Sequence, residues 1–314
     1  MLILIAGITG NIGSHAANHA LETGHKVRGL GRNPSKLPAS ITKHPNFNTF
    51  ITSTSHDDIP ALEKACLGID AIICAYAGLP TLHLDGQLLL LRAAEKASVK
   101  RFLTAGWNYD WRKVPFGTAW PIYDSIRCFH VQAELTSSIK PLHIFSGMLA
   151  DVFFGVDGQD GFTPKDGGVW DCHAEKERKE MDIWGTGDEV WDFTTERDAG
   201  RWGVEVITAE GAEEGGFVSL RSFRASLKDV KETYELVRGG EVKVRWRGSV
   251  DELEKLAVKE KEKFGRRRLW EWHRLYFYLT CLKGTWNLGE LENEKFPGFE
   301  ATSLEKFLKE HPEV

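Results

Sequence analysis

Short apolar runs broken by glycine recur along the first half of the chain. Leu2 to Ala6 is continuously apolar and of strand length, the pattern of a parallel strand covered on both faces. Gly7-Ile8-Thr9-Gly10-Asn11-Ile12-Gly13 follows, and a helix is expected from Ser14 to Glu22. Thr23-Gly24-His25 stops it, and Lys26 to Leu30 reads as a second strand. The alternation continues with strands over Phe47 to Ile51, Ala71 to Gly78, Val99 to Ala105 and Leu142 to Ser146. Helices are expected between them, over Ile59 to Cys66, Leu84 to Ala97 and Tyr123 to Ser137.

Beyond residue 150 the rhythm loosens. Gly155 to Cys172 reads as a loop or lid, and Met181 to Thr195 as a hairpin-like stretch around Gly185-Thr186-Gly187-Asp188. Asp198 suits the N-cap of a helix reaching Ile207. Further helices are expected over Leu227 to Arg238, Val250 to Phe264 and Leu269 to Leu282, the last dense in aromatic residues. Strand–helix alternation of this kind predicts an α/β fold, a Rossmann doubly wound parallel sheet with a smaller C-terminal substrate-covering region. Residues 1–150 are assigned to the dinucleotide-binding domain, with strand and helix returns from about 183–222. Residues 151–182 and 223–314 are assigned to the cap.

The glycine run carries the first chemistry. Glycine lets the chain turn sharply from strand to helix and lets a pyrophosphate approach the backbone. The uncapped N–H groups of the following helix then face the phosphates. The binding residues expected from this loop are Gly7, Thr9, Gly10, Asn11, Ile12 and Gly13. At the end of the second strand an acidic residue would bind the adenosine ribose of NAD. This chain instead has Gly31-Arg32-Asn33-Pro34-Ser35-Lys36. Arg32 can grip a 2′-phosphate, with Asn33 and Lys36 beside it, so NADP(H) is the expected cofactor. Tyr76, Ala77, Gly78, Ala105 and Gly106, at the carboxyl edges of later strands, are expected to flank it.

Composition sets limits. Of the 314 residues 42% are hydrophobic and 27% charged, an ordinary globular balance. A net charge of −5 argues against a nucleic-acid partner. No apolar stretch has the length of a membrane span, and the short apolar start lacks a basic leader, so a cytoplasmic protein is expected. Five cysteines without paired spacing predict reduced thiols and no metal site. Eleven tryptophans suggest an aromatic-lined pocket for a flat ligand, with Trp107, Trp111, Trp120, Trp170 and the Trp270–Phe277 helix as candidates.

The motif Gly7-x-Thr9-Gly10-x-Ile12-Gly13, followed by Arg32-Asn33-Pro34-Ser35, resembles the NmrA-like and isoflavone-reductase-like atypical short-chain dehydrogenases. Ile183 to Asp188 and Phe193 to Gly200 resemble that family's glycine-aspartate turn and following helix start, and the tail from Asn293 to Leu308 is similar to its fungal members, so the resemblance covers nearly the whole chain. It implies an NADP(H)-binding Rossmann domain with a C-terminal roof over the substrate. It also implies a lysine on the helix after the fifth strand. Here that helix reads Tyr123-Asp124-Ser125-Ile126-Arg127-Cys128-Phe129-His130-Val131, and Arg127 or Cys128 takes the lysine's place. Thr104-Ala105-Gly106-Trp107-Asn108 likewise departs from the reductases' Pro-Ser-Glu-Phe-Gly.

Arginine can hold a ribose but does not readily release a proton. The candidate catalytic set is therefore Tyr123, Arg127, Tyr109 and Asp151, with a neighbouring cation needed to lower a phenol's pKa. Each is also an ordinary structural residue type. Trp107, Cys128, Met148 and Trp170 are the expected substrate-pocket residues. The resulting reading is an NADP(H)-dependent oxidoreductase that tailors a bulky aromatic or polycyclic secondary metabolite, such as a polyketide or indole alkaloid, in a fungal-type pathway. Two alternatives stand beside it. One is a redox-neutral cyclase guiding a Diels–Alder-type cycloaddition through transient oxidation. The other is an NmrA-like redox sensor that binds a regulatory protein. The expected partner is a small aromatic molecule, with neither nucleic acid nor membrane.

Overall fold

The computed structural model describes residues 1–78, 80–117, 121–159, 161–175 and 178–314. The first half supplies β1 (Leu2–Ala6), α1 (Asn11–Glu22), β2 (Lys26–Gly31), α2 (Ala39–Thr42), β3 (Phe47–Thr52) and α3 (Ile59–Cys66). It continues with β4 (Ala71–Cys74), α4 (Gln87–Lys96), β5 (Arg101–Leu103), α5 (Pro121–Thr136) and β6 (Pro141–Phe145). After these come β7 (Met148–Leu149), α6 (Ala150–Phe154), β8 (Glu180–Trp184), β9 (Val190–Thr194), α7 (Glu196–Thr208) and β10 (Gly216–Ser219). The chain ends with β11 (Phe223–Ser226), α8 (Leu227–Arg238), β12 (Lys243–Gly248), α9 (Val250–Phe264), α10 (His273–Leu282) and α11 (Leu304–Glu310).

Seven parallel strands form the central sheet in the order β10-β6-β5-β4-β1-β2-β3. The order reverses between β1 and β4, and the crevice above such a reversal is where open α/β sheets bind ligands. Ile3 and Ile5 of β1 face Ala16, Ala17, Trp202 and Val206 of α1 and α7. Leu4, Ile72 and Phe102 face the opposite layer, with Leu62, Leu90 and Phe129 of α3, α4 and α5. Alternation of side chains along each strand thus separates two cores across one sheet. Gly200 brings α7 unusually close to α1, since a Cβ there would lie 2.7 Å from the Ala16 nitrogen.

A third core belongs to the C-terminal half, where β7, β9 and β11 form a three-stranded sheet and β8 pairs with β12. The expected hairpin over 181–195 is therefore corrected. Its tight turn exists, with Gly185 and Gly187 at φ 78 and 77. The Glu189 carboxylate accepts the Thr186 and Gly187 N–H groups there. The flanking strands diverge because β8 finds its partner at 243–248 and β9 at 223–226.

The cap of α7 is also corrected. Thr195, not Asp198, is the N-cap, its hydroxyl accepting the Asp198 N–H at 3.1 Å. The fully buried Asp198 carboxylate instead accepts the Thr302 N–H and the Ser222 hydroxyl, both at 2.7 Å, tying the tail to the fold. The expected helix over 269–282 breaks at Trp272, whose indole turns inward and donates to the Gly265 carbonyl at 3.1 Å. Among the described residues no helix is long and apolar enough to cross a membrane.

Candidate cofactor and active site

Main-chain hydrogen bonds shape the turn after β1. The Gly7 N–H donates to the Leu30 carbonyl and the Gly10 N–H to the Gly7 carbonyl, each at 2.9 Å. Gly7 sits at φ 84, and a Cβ there would meet the Ala75 carbonyl oxygen at 2.6 Å. At Gly13 a Cβ would lie 2.3 Å from the Gly7 oxygen. No side chain of the described residues caps α1 at Gly10. A glycine cradle below an uncapped helix end, at the sheet's reversal point, fits a dinucleotide pyrophosphate.

At the end of β2, Gly31 is followed by the exposed Arg32. Asn33 caps a single turn over Pro34–Lys36, its side chain accepting the Ser35 N–H at 3.0 Å. That turn holds Arg32 and Lys36 on one short exposed segment, and no carboxylate stands at residues 31–36. Thr9 lies beside the same strand end, where a Cβ on Gly31 would be 3.6 Å from the Thr9 hydroxyl oxygen.

β4 ends at Cys74, four residues before its expected limit, and Tyr76, Ala77 and Gly78 continue as loop. Tyr76 folds back over Gly86, and burial pushes its phenol above the ordinary range. Nearby, the buried His83 has its pKa pushed down to about 4, chiefly by burial. The β5 edge is fixed by Gln87, whose carbonyl oxygen accepts the Ala105 N–H at 2.8 Å. Gly106 follows, against Ile126 of α5.

The candidate catalytic residues divide into two places. Tyr109 and Tyr123 meet edge to face with centroids 5.0 Å apart, and Trp286 from the C-terminal region packs on both. Burial raises both phenols well above their usual pKa. The expected activation by a cation is overturned here, because desolvation outweighs the pull of Arg127 on Tyr109. Arg127 donates to the Val114 carbonyl at 2.6 Å and lies over the Phe116 ring. One turn further along α5, His130 Nδ1 lies 3.2 Å from His143 Nε2, and His143 Nδ1 lies 2.9 Å from the Thr104 hydroxyl. Burial keeps both imidazoles neutral-leaning, with pKa values below the ordinary 6.5.

Asp151 lies elsewhere, at the start of α6, and accepts the Glu196 N–H at 2.7 Å. The two carboxyl groups face a cavity of about 540 Å³ that also touches Asn11, Ser14 and His15 of α1. Burial, then the Asp151 charge, raises the Glu196 pKa to about 7, and burial raises Asp151 as well. Glu196 is absent from the expected site because nothing in local pattern separates it from an ordinary first-turn acid of a helix. Its proximity to α1 arises only from the α1–α7 packing.

Of the expected pocket residues, Trp107 is half-buried against Gly203 of α7, and Cys128 is half-buried with its thiol pKa raised by burial. Met148 and Trp170 are core residues, Trp170 packed between Phe154 and Tyr234. Trp111, Trp191, Trp202, Trp272 and Trp286 are buried as well, so most of the tryptophan content serves packing rather than a pocket wall. Trp120 lies outside the described residues. Among the described residues no cluster of three potential metal ligands occurs.

A family model described as NAD(P)H-binding matches residues 7–118. The probable pinoresinol-lariciresinol reductase 3 of Arabidopsis thaliana is 31% identical over 104 residues, which cover 33% of each chain. The NAD-dependent epimerase/dehydratase terH of Aspergillus terreus is 26% identical over 52% of this chain and 62% of its own length. The matched stretches thus span about a third to three-fifths of these relatives. Among solved structures, the pinoresinol-lariciresinol and phenylcoumaran benzylic ether reductases, described together with their relationship to isoflavone reductases, share this fold. There the TM-score is 0.78 at 21% identity, covering 98% of both chains.

Proposed function

We propose, from the premise that the chain is an NmrA-like, isoflavone-reductase-like atypical short-chain dehydrogenase with an NAD(P)H-binding domain, that it is an NADP(H)-dependent oxidoreductase. Its proposed substrate is a bulky aromatic small molecule of secondary metabolism. One observation carries the cofactor choice. The glycine cradle and open end of α1 lie beside a β2 terminus that presents Arg32 and Lys36 and no carboxylate. An acid there would repel a 2′-phosphate, whereas a guanidinium pairs with it. The names of the plant reductases support an aromatic substrate, and the Aspergillus relative supports a fungal setting.

Bound NADPH supplies a hydride from nicotinamide C4. This chain's residues supply position. Gly7, Gly10 and Gly13 admit the pyrophosphate, and α1 faces it with N–H groups. Fluorescence titration with NADPH and NADH tests the reading. NADPH is expected to bind at least about tenfold more tightly, the worth of one charge-assisted contact. Arg32→Ser should remove that margin and leave NADH binding unchanged. Equal affinity in the unmodified protein would reject the NADP(H) preference.

A second reading has its own observation. The residues of α5 include no lysine, Arg127 is engaged by the Val114 carbonyl, and both nearby phenols are held protonated by burial. That arrangement favours use of the bound nucleotide without net reduction, as a redox sensor or a redox-neutral catalyst. NADPH oxidation in the presence of pinoresinol and related phenolics separates the readings. Consumption of NADPH supports the reductase, and tight binding without consumption supports the second reading.

A further inference from the structure

The cavity beside α1 holds a carboxyl group that the cofactor reading leaves without a role. Glu196, the first residue of α7, is 7% exposed. Its carboxylate accepts from the Gln159 side chain at 3.1 Å and from the Asn11 side-chain amide. Asn11 is the first residue of α1, in the glycine loop itself. The side chain of Glu196 is therefore one contact away from the N–H groups that would receive a pyrophosphate.

Several charged and titratable groups face Glu196. From α6 and the turn after it come Asp151 and Asp157, both of which disfavour its ionised form. His15 of α1 faces the cavity but is held toward its neutral form by burial and by Arg197. Arg197 is paired with Glu310 of α11 at 2.9 Å, and His311 with Glu313 at 2.9 Å. The cavity is thus richest in carboxylates where α1 begins. A pyrophosphate at the neighbouring glycine loop brings further negative charge close to these acids, and like charges at close range favour protonation of the weaker acid. A neutral Glu196 still accepts the Asn11 amide, so the loop keeps its geometry.

We propose that Glu196 is a positioning residue of the glycine loop that takes up one proton when the dinucleotide seats, so that cofactor binding weakens as the pH rises past neutrality. This rests on the NADP(H) reading above. One proton taken up per cofactor corresponds to a tenfold loss of affinity per pH unit. The 2′-phosphate, with a second pKa near about 6, is already ionised in that range and does not produce the slope.

Calorimetric titration with NADPH between about pH 7 and 9, in buffers of different ionisation enthalpy, tests it. The full chain should show proton uptake approaching one per NADPH at the upper end, with Kd rising about tenfold per unit. Glu196→Gln should bind with no proton uptake and a flat Kd. Asp151→Asn, which retains Glu196 and removes its acidic neighbour, should move the onset to lower pH. It gives an independent reading where the Gln variant does not fold. Binding without proton exchange in the unmodified protein, an undiminished slope in Glu196→Gln, or an unmoved onset in Asp151→Asn would each overturn the proposal. Absence of NADPH binding at every pH would overturn the cofactor reading instead.

Discussion

The glycine loop and the aromatic cluster on α5 are built in opposite ways. The loop is a backbone device. Its hydrogen bonds run from Gly7 and Gly10 to main-chain carbonyls, and its shape depends on the absence of three Cβ atoms within seven consecutive residues. The cluster is a side-chain device, in which Trp286 from the C-terminal region meets Tyr109 and Tyr123 only in the folded chain. Backbone sites tolerate changes outside their glycines, because any residue supplies an N–H. Side-chain sites are sensitive to every partner, because burial sets the chemistry of each. The same contrast explains why the phenols here have raised pKa values although an arginine stands close by.

Four outcomes test that contrast, from the largest effect to the smallest. Trp286→Ala should destabilise the protein by about 3–5 kcal/mol, because a buried indole that packs on Tyr109, Tyr123 and Phe277 leaves a cavity. Denaturant unfolding measures this, and a loss under about 1 kcal/mol would show the cluster to be loose. Gly13→Ala should destabilise by about 1–3 kcal/mol and abolish NADPH binding, since the added methyl collides with the Gly7 carbonyl. Retained nucleotide affinity would break the backbone account of the loop. Thr195→Ala, which removes the cap of α7, should lower stability by about 1 kcal/mol.

The smallest effect is a pH dependence. His143 is buried with a lowered pKa, so the unfolded chain binds its proton more readily than the folded one. Its contribution to stability is fully present above the unfolded value of 6.5 and is lost as the pH falls toward the folded value. In His143→Phe the loss of stability between about pH 7 and 5 should be shallower than in the parent, by equilibrium unfolding at each pH. An identical slope would show that other groups carry the acid sensitivity.

These differences also account for what could be read from the chain alone. Leu2 to Gly31 was legible because strand, glycine turn, helix and strand follow each other in sequence, and each residue's role is local. The helices over Ile59–Cys66, Leu227–Arg238 and Val250–Phe264 were legible for the same reason, each having a capping residue or stop signal at its ends. The strands on either side of the Gly185 to Asp188 turn were placed but wrongly paired, since their partners lie about 30 to 60 residues further along the chain. Tryptophan content pointed toward a pocket because composition cannot distinguish a ring on a wall from a ring in a core. Glu196 was invisible because its closeness to Asn11 depends on Gly200 drawing α7 onto α1, a contact between segments nearly two hundred residues apart.

The seventh strand has a practical consequence. β10 comes from residues 216–219, yet it pairs in parallel with β6, Gly216 beside Leu142 through to Ser219 beside Phe145. A protease that cut the chain after residue 150, or an engineer who trimmed it there, would leave β6 as an unprotected edge with its hydrogen-bonding groups bare. It would also strip Trp202 and Ile207 from one face of the sheet. The nucleotide-binding half is thus contiguous in its motif but not in its substance. Limited proteolysis should yield either the whole chain or fragments that precipitate.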